Sequence, residues 1–251
     1  MTYRVLIIEH ETDAGLGFFG EWLTGAGVTP EVVRPFLGEE LPDGTLPHGL
    51  IVLGGSASAW DDEAYPWLPG IRDLIRRSVE ASVPTLGICL GAQLMTLALG
   101  GRVERGAAGL EIGLRRIAPL PAAADDLLMG RLPAEPKVVH YHQDAMTALP
   151  EGSVPLATGD PYPNQAYRFG ERAWAVQFHP EASPEVFADW MTVTGASLTA
   201  AGHDPRALDA DVAAAGAELD ATWRPFAEAF AAVVRDAPRH VREHRETARN
   251  R

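Results

Sequence analysis

Residues 84–93 read Pro84-Thr-Leu-Gly-Ile-Cys-Leu-Gly-Ala-Gln93, and this stretch decides the fold. Pro84 to Ile88 is a short apolar run of strand length, and Leu90 to Leu99 has helical character. Cys89 therefore stands where a strand turns sharply into a helix. A nucleophile in that place sits above the end of a sheet in strained backbone geometry. The glycines at 87 and 91 leave room for neighbouring backbone to pass closely. The following helix points its N-terminus at the sulfur, which favours thiolate over thiol. The Leu90 amide, just after the nucleophile, can donate to an oxyanion, and Gly54-Gly55-Ser56 offers a second donor from the end of a neighbouring strand. A lone cysteine is ordinarily a small buried hydrophobe. At ~7% glycine usage, however, Gly-x-Cys-x-Gly-x-Gln arises by chance in well under roughly one chain in a thousand of this length. Cys89 is read as chemistry.

Outward from that turn, strands and helices alternate. Residues 3–8 and 49–53 are buried strands and 30–34 a further strand. Residues 14–26 (Leu16, Phe19, Trp22, Leu23) and 66–81 (Trp67, Leu68, Ile71, Leu74, Ile75, Val79) carry apolar side chains at helical spacing. Short connections between them indicate a parallel sheet covered on both faces. Between 102 and 178 short strands dominate (112–117, 137–141, 154–157, 164–169, 173–178), some of them antiparallel. Residues 184–193 and 205–235 are alanine-rich and helical. The expected fold is a three-layer α/β domain with a mostly parallel central sheet, flavodoxin-like, over residues 1–195. A C-terminal helical extension and basic tail follow at 196–251. The apolar stripe of the extension (Leu208, Val212, Leu219, Trp223, Phe226, Phe230) is expected to pack back on the domain, the alternative being a subunit contact such as a homodimer. The segment from Arg235 to Arg251 holds six arginines against three acids and reads as a solvated, fraying helix end.

Composition narrows the functional classes. The 251 residues carry 21 basic and 34 acidic side chains, a net charge of −13. That balance argues against non-specific nucleic-acid binding and against anionic membranes. No apolar run approaches the ~20 residues of a bilayer span, and the start lacks the layout of a signal peptide. A single cysteine excludes an internal disulfide, and a reducing cytoplasm is the default.

A thiolate nucleophile needs a base, and the base an orienter. Of the eight histidines, His179 stands out: Trp174-Ala-Val-Gln-Phe178 is a strand, and His179-Pro-Glu181 follows at its end. Residues two apart in extended chain share a face, so Glu181 can hold the imidazole in the tautomer that accepts a proton from sulfur.

Gly87-Ile-Cys-Leu-Gly-Ala-Gln93 together with Gln177-Phe-His-Pro-Glu181 resembles the class I (triad) glutamine amidotransferases, especially free-standing members similar to the amidotransferase half of GMP synthase. Supporting matches are Gly54-Gly55, Glu111-Ile-Gly113, His140-Tyr-His-Gln-Asp144, Leu149-Pro-Glu-Gly152 and Asn164-Gln-Ala-Tyr-Arg-Phe-Gly170. The resemblance covers about residues 3–195. It implies attack of Cys89 on the amide carbon of glutamine, a γ-glutamyl thioester, and ammonia leaving with a proton from His179. It further implies an oxyanion held by the amides of Gly55 and Leu90, and glutamine contacts from Gln93, Gln143 and Asp144. Ser56 stands where the family commonly has proline, at a place where only backbone is needed.

No phosphate-binding glycine loop of the Gly-x-x-x-x-Gly-Lys-Ser/Thr type occurs, and about 55 residues remain after the amidotransferase unit. A separate ATP-dependent synthetase subunit would then receive the ammonia. The alternative is a free-standing γ-glutamyl peptide or amide hydrolase with the same thioester chemistry, or, with the triad as evidence against it, a non-catalytic binding protein. His140-x-His142-x-Asp144 is similar to the start of a metallo-hydrolase motif, but Ala145 replaces the histidine that would follow the aspartate. No metal and no organic cofactor is expected.

Overall fold

The computed structural model describes residues 2–237. Along them run β1 (Tyr3–Ile8), α1 (Phe18–Gly25), β2 (Val28–Val33), β3 (Gly49–Val52), α2 (Leu68–Glu80), β4 (Thr85–Ile88) and α3 (Leu90–Ala98). Then follow β5 (Arg102–Arg105), β6 (Glu111–Arg116), β7 (Ala118–Pro119), β8 (Lys137–His142), β9 (Asp144–Ala148), β10 (Val154–Thr158), β11 (Ala166–Phe169) and β12 (Ala173–Val176). Two long helices, α4 (Pro184–Ala200) and α5 (Pro205–Asp236), close the described chain.

Eight strands form the central sheet in the order β2-β1-β3-β4-β12-β11-β10-β7. The first five are parallel and the last three antiparallel. Because successive side chains of a strand point to opposite faces, the apolar runs feed two separate cores. Val5, Ile7, Ile51, Leu86, Ile88, Trp174 and Val176 pack on one side with α1, α4 and α5. Leu6, Ile8, Leu50, Val52, Ala173 and Ala175 pack on the other with α2 and α3. This is why the strands read as continuous rather than alternating hydrophobic runs.

In the parallel part the order is that of a doubly wound fold, with the chain turning outward in opposite directions from β1. Ligands of such sheets bind at the carboxyl ends of the strands near that reversal. There the chain leaves β1 at Glu9, β3 at Leu53 and β4 at Cys89, so one edge collects the residues singled out above.

Several element limits differ from expectation for local reasons. The first helix begins at Phe18, not near 14, because Gly17 has φ +47° and the loop before it runs across the sheet edge. The strands β5 and β9, not expected from sequence, pair with each other and bury little besides Val103, Ala145 and Met146, so they carry almost no periodic signal. Helix α4 continues to Ala200, past the expected end at 193 and through the expected domain limit at 195. Residues 238–251, which include most of the expected fraying tail, lie outside the described residues.

The stripe of α5 is buried: Val212, Leu219, Trp223, Phe226 and Phe230 belong to the same cluster as β1, β4 and β12. Trp223 sits 5.1 Å from the Phe178 ring, and its indole N–H donates to the Lys137 carbonyl at 2.9 Å. Helix α1, with eight residues, cannot cover that face of the sheet alone. Trp223→Ala should therefore cost about 3–5 kcal/mol in urea unfolding, and a chain ending at Gly202 should aggregate. A truncated chain that stays soluble and unfolds cooperatively would place α5 outside the core.

Candidate active site at the carboxyl edge of the sheet

Cys89 occupies the N-cap of α3 with φ +51° and ψ −107°, a left-handed conformation for a non-glycine residue. Three backbone bonds hold it there. Its N–H donates to Val176 O at 2.8 Å, Gly91 N–H donates to Leu53 O at 3.1 Å, and Gln93 N–H donates to Cys89 O at 3.0 Å. The start of α3 thus rides directly on β3 and β12. A Cβ at position 91 would lie 2.0 Å from the Val52 carbonyl oxygen, so only glycine fits. A Cβ at position 54 would lie 2.8 Å from His179 Cε1 and 3.5 Å from Cys89 Cβ. The second glycine of the motif is equally confined, since a Cβ there would meet His10 Cβ at 2.8 Å and Leu90 Cδ2 at 3.2 Å.

His179 follows β12, and its N–H donates to Val139 O at 2.8 Å, which ties the end of β12 to β8. The ring is buried. Its Nδ1 lies 2.7 Å from Glu181 Oε1, and the ring lines one cavity with Cys89. Trp190 packs edge-on against it at 4.8 Å. Burial alone would lower the His179 pKa. The Glu181 carboxylate and the Cys89 sulfur outweigh burial and hold it at about 10. Glu181 is itself fixed by the chain, because its carbonyl accepts from Phe18 N–H at 2.9 Å where α1 begins. Behind Gly55, His10 is wholly buried, and burial pushes its imidazole down to about 4. That wall is therefore uncharged at neutral pH.

A cavity of about 280 Å³ opens above these groups. Cys89, His179, Gly55, Gln93, Gln143 and Asp144 all line it, while Glu181 is not in its lining. Leu90 does not line it either, but as the first residue of α3 it has an amide without an intrahelical acceptor. Gln93 differs from expectation in one respect. Its amide N–H donates to the Asp144 carbonyl at 2.9 Å, so it braces the Asp144 turn rather than offering that group to the cavity. Asp144 receives a hydrogen bond from Ser58 Oγ at 2.7 Å and pairs with Arg105 at 3.0 Å, and Arg105 also reaches Gln143 Oε1 at 3.2 Å. Sequence reasoning missed Ser58 and Arg105, along with Glu11, Asp13, Tyr141, Trp190 and Thr194, which also line the cavity. They come from loops, β5, β8 and α4; Tyr141 lies inside the His140–Asp144 motif, the others in none, and their tertiary positions bring them together. A buried cluster of Glu111, His140 and His142, whose ligand atoms lie within 4.8 Å of one another, is the group among the described residues able to hold a metal ion.

Comparison with known proteins agrees with this architecture. The family model "Glutamine amidotransferase class-I" matches residues 23–192. A GMP synthase (glutamine-hydrolysing) of Staphylococcus carnosus is 40% identical over 136 residues, 54% of this chain and 24% of the relative. Gamma-glutamyl peptidase 4 of Arabidopsis thaliana is 29% identical over 144 residues, 57% of each chain. The chain thus spans about a quarter of the synthase it matches. A glutamine amidotransferase structure from Thermotoga maritima superposes with a TM-score of 0.83 at 26% identity, covering 91% of this chain and 98% of that one. One from Methylobacillus flagellatus gives 0.81 at 28% identity, covering 97% and 100%.

The His179 environment sets an expected pH profile. A proton on His179 is retained up to about 10, so a reaction that uses it as an acid should fall off only near that pH. Glu181→Gln removes the charge that raises the pKa most, and the alkaline limb should move down by about one to three pH units. The pH dependence of kcat/KM checks this, and an unmoved limb would mean that Glu181 does not govern the proton.

Proposed function

Because this chain belongs to the class-I glutamine amidotransferase family, we propose that Cys89, His179 and Glu181 act as a triad that hydrolyses the side-chain amide of glutamine. The observation that carries the reading is the His179 ring, bonded to the Glu181 carboxylate at 2.7 Å and lining one cavity with Cys89. The Cys89 sulfur attacks the amide carbon, and the amide oxygen becomes an oxyanion held by the amides of Gly55 and Leu90. Collapse breaks the C–N bond, His179 gives its proton to the departing nitrogen, and a γ-glutamyl thioester remains. Water, losing a proton to His179, then attacks the thioester, releases glutamate and restores the thiolate. Asp144 and Gln143, with Arg105 beside them, contact the α-amino and α-carboxylate groups of glutamine. Gln93 acts through the Asp144 carbonyl.

In this reading residues 1–195 carry the chemistry in the cytoplasm and 196–251 support it. The ammonia passes to a separate ATP-dependent synthetase. The Staphylococcus carnosus relative is named a glutamine-hydrolysing GMP synthase, and the matched part is about a quarter of it.

A second reading has its own support. His179 would protonate the leaving nitrogen, and the Trp190 ring packed on it forms part of the cavity wall with Asp13, Tyr141 and Thr194. A cavity that continues past the leaving nitrogen has room for a substituent there. This favours a γ-glutamyl peptide or amide as substrate, the chemistry named for the Arabidopsis thaliana relative.

Glutamate release from glutamine and from a panel of γ-glutamyl peptides separates the two. Release from glutamine that disappears in Cys89→Ala supports the amidotransferase reading, and faster release from the peptides supports the hydrolase. Release that survives Cys89→Ala would overturn both.

A further inference from the structure

β6 and β8 form an antiparallel two-stranded ribbon in which Glu111 lies opposite His142 and Gly113 opposite His140. Residues two apart on a strand share a face, so the three side chains Glu111, His140 and His142 project from the same face of the ribbon. All three are buried, His140 completely. On Glu111 Oε2 converge His142 Nε2 at 2.9 Å, Gln165 Nε2 at 3.1 Å and His140 Nδ1 at 3.4 Å.

The hydrogen-bond pattern around His142 fixes its tautomer. Its Nδ1 faces the Asp144 carbonyl at 2.9 Å, and a carbonyl only accepts, so Nδ1 carries a proton. Nε2, on the other side of the ring, faces the Glu111 carboxylate oxygen at 2.9 Å. A ring nitrogen and a carboxylate oxygen at that distance need a proton or a metal cation between them. A proton would join His142 to Glu111 but leave His140, whose Nδ1 reaches the same carboxylate oxygen only at 3.4 Å and whose Nε2 has no hydrogen-bond partner. A buried imidazole so loosely held is costly and calls for an ion or water. A divalent cation would engage all three groups at once.

We propose that Glu111, His140 and His142 form a binding site for a divalent cation of the zinc type, with two imidazole nitrogens and one carboxylate oxygen as ligands. The spacing suits it: with bonds of 2.0–2.1 Å, tetrahedral ligand atoms lie about 3.3 Å apart, and the two oxygen-to-nitrogen separations here are 2.9 and 3.4 Å. The outer contacts also suit it. His142 donates its remaining N–H to a backbone carbonyl, and Gln165 steadies the carboxylate, as partners of metal ligands commonly do. His142 also lines the cavity, which gives the ion an entry path and a side on which water can complete its coordination. The role is structural, since the ion would anchor the β8–β9 turn that presents Gln143 and Asp144. It does not depend on which γ-glutamyl substrate the triad cleaves. The third ligand, Glu111, comes from the neighbouring strand and lies outside the His140-x-His142-x-Asp144 motif.

The test uses the full chain carrying Cys89→Ala, so that the thiolate cannot compete for metal. After chelator treatment and buffer exchange, titration with cobalt(II) should show one equivalent bound, with visible ligand-field bands of a low-coordinate nitrogen and oxygen site. Zinc should displace it and raise the unfolding midpoint. Glu111→Gln and His140→Phe, each added to that background, should weaken binding by about tenfold or more and abolish the zinc-dependent rise. Absence of stoichiometric binding overturns the proposal, as does binding that both variants leave unchanged. Should either variant fail to fold, histidine ring ¹⁵N spectra of the parent decide the matter. Zinc must perturb two buried rings, one of them bonded through Nε2, and unperturbed rings refute the site.

Discussion

The contact on which this molecule depends is the approach of the first turn of α3 to β3, where position 91 has no room for a Cβ beside the Val52 carbonyl. That approach fixes the Cys89 backbone in a conformation an L-residue seldom adopts, and the sulfur cannot relax into the core without dismantling it. The strain is held by hydrogen bonds to β12 and to the residue after β3, both embedded in the sheet. A glycine pair at 54–55 lets the neighbouring strand end come equally close. The backbone geometry at Cys89 is therefore a consequence of how tightly helix and sheet are packed.

Charge is arranged around that geometry with little waste. The molecule is strongly acidic, yet the wall behind Gly55 is a neutral histidine, kept so by burial. His179, in contrast, stays protonated, because the Glu181 carboxylate and the Cys89 sulfur raise its pKa. Two imidazoles, both buried, are pushed in opposite directions, one by burial alone and the other by the charges beside it. On the far side of the cavity, Asp144 is aligned by Ser58 and Arg105 through its side chain and by Gln93 and His142 through its carbonyl.

The C-terminal helix belongs to the same physical account. A parallel sheet needs both faces covered, and α1 is too short to cover one of them. Helix α5 supplies the missing apolar surface and, through Trp223 and Phe178, packs beneath the residue that precedes His179. The support of the site thus reaches a segment with no catalytic motif of its own.

Much of this was legible in sequence. The run from Pro84 to Gln93 declared a strand, a strained turn and a helix, and the spacing of His179 and Glu181 placed both on one face of an extended segment. The apolar runs at 3–8 and 49–53 identified buried parallel strands, and the stripe of α5 marked a packing surface. These features are local, set by backbone sterics and side-chain periodicity within a few residues. The short strands β5 and β9 were not legible, because a pair with few buried apolar side chains carries no period. Nor were Arg105 and Ser58, which act on Asp144 from 39 and 86 residues away. The meeting of Glu111 with His140 and His142 needed the register of β6 against β8, which is set by hydrogen bonds between distant segments. Sequence determined which residues could do chemistry and how each is held locally. Only the tertiary structure decided which of them share a cavity and which are charged, because proximity and desolvation are properties of the packed chain.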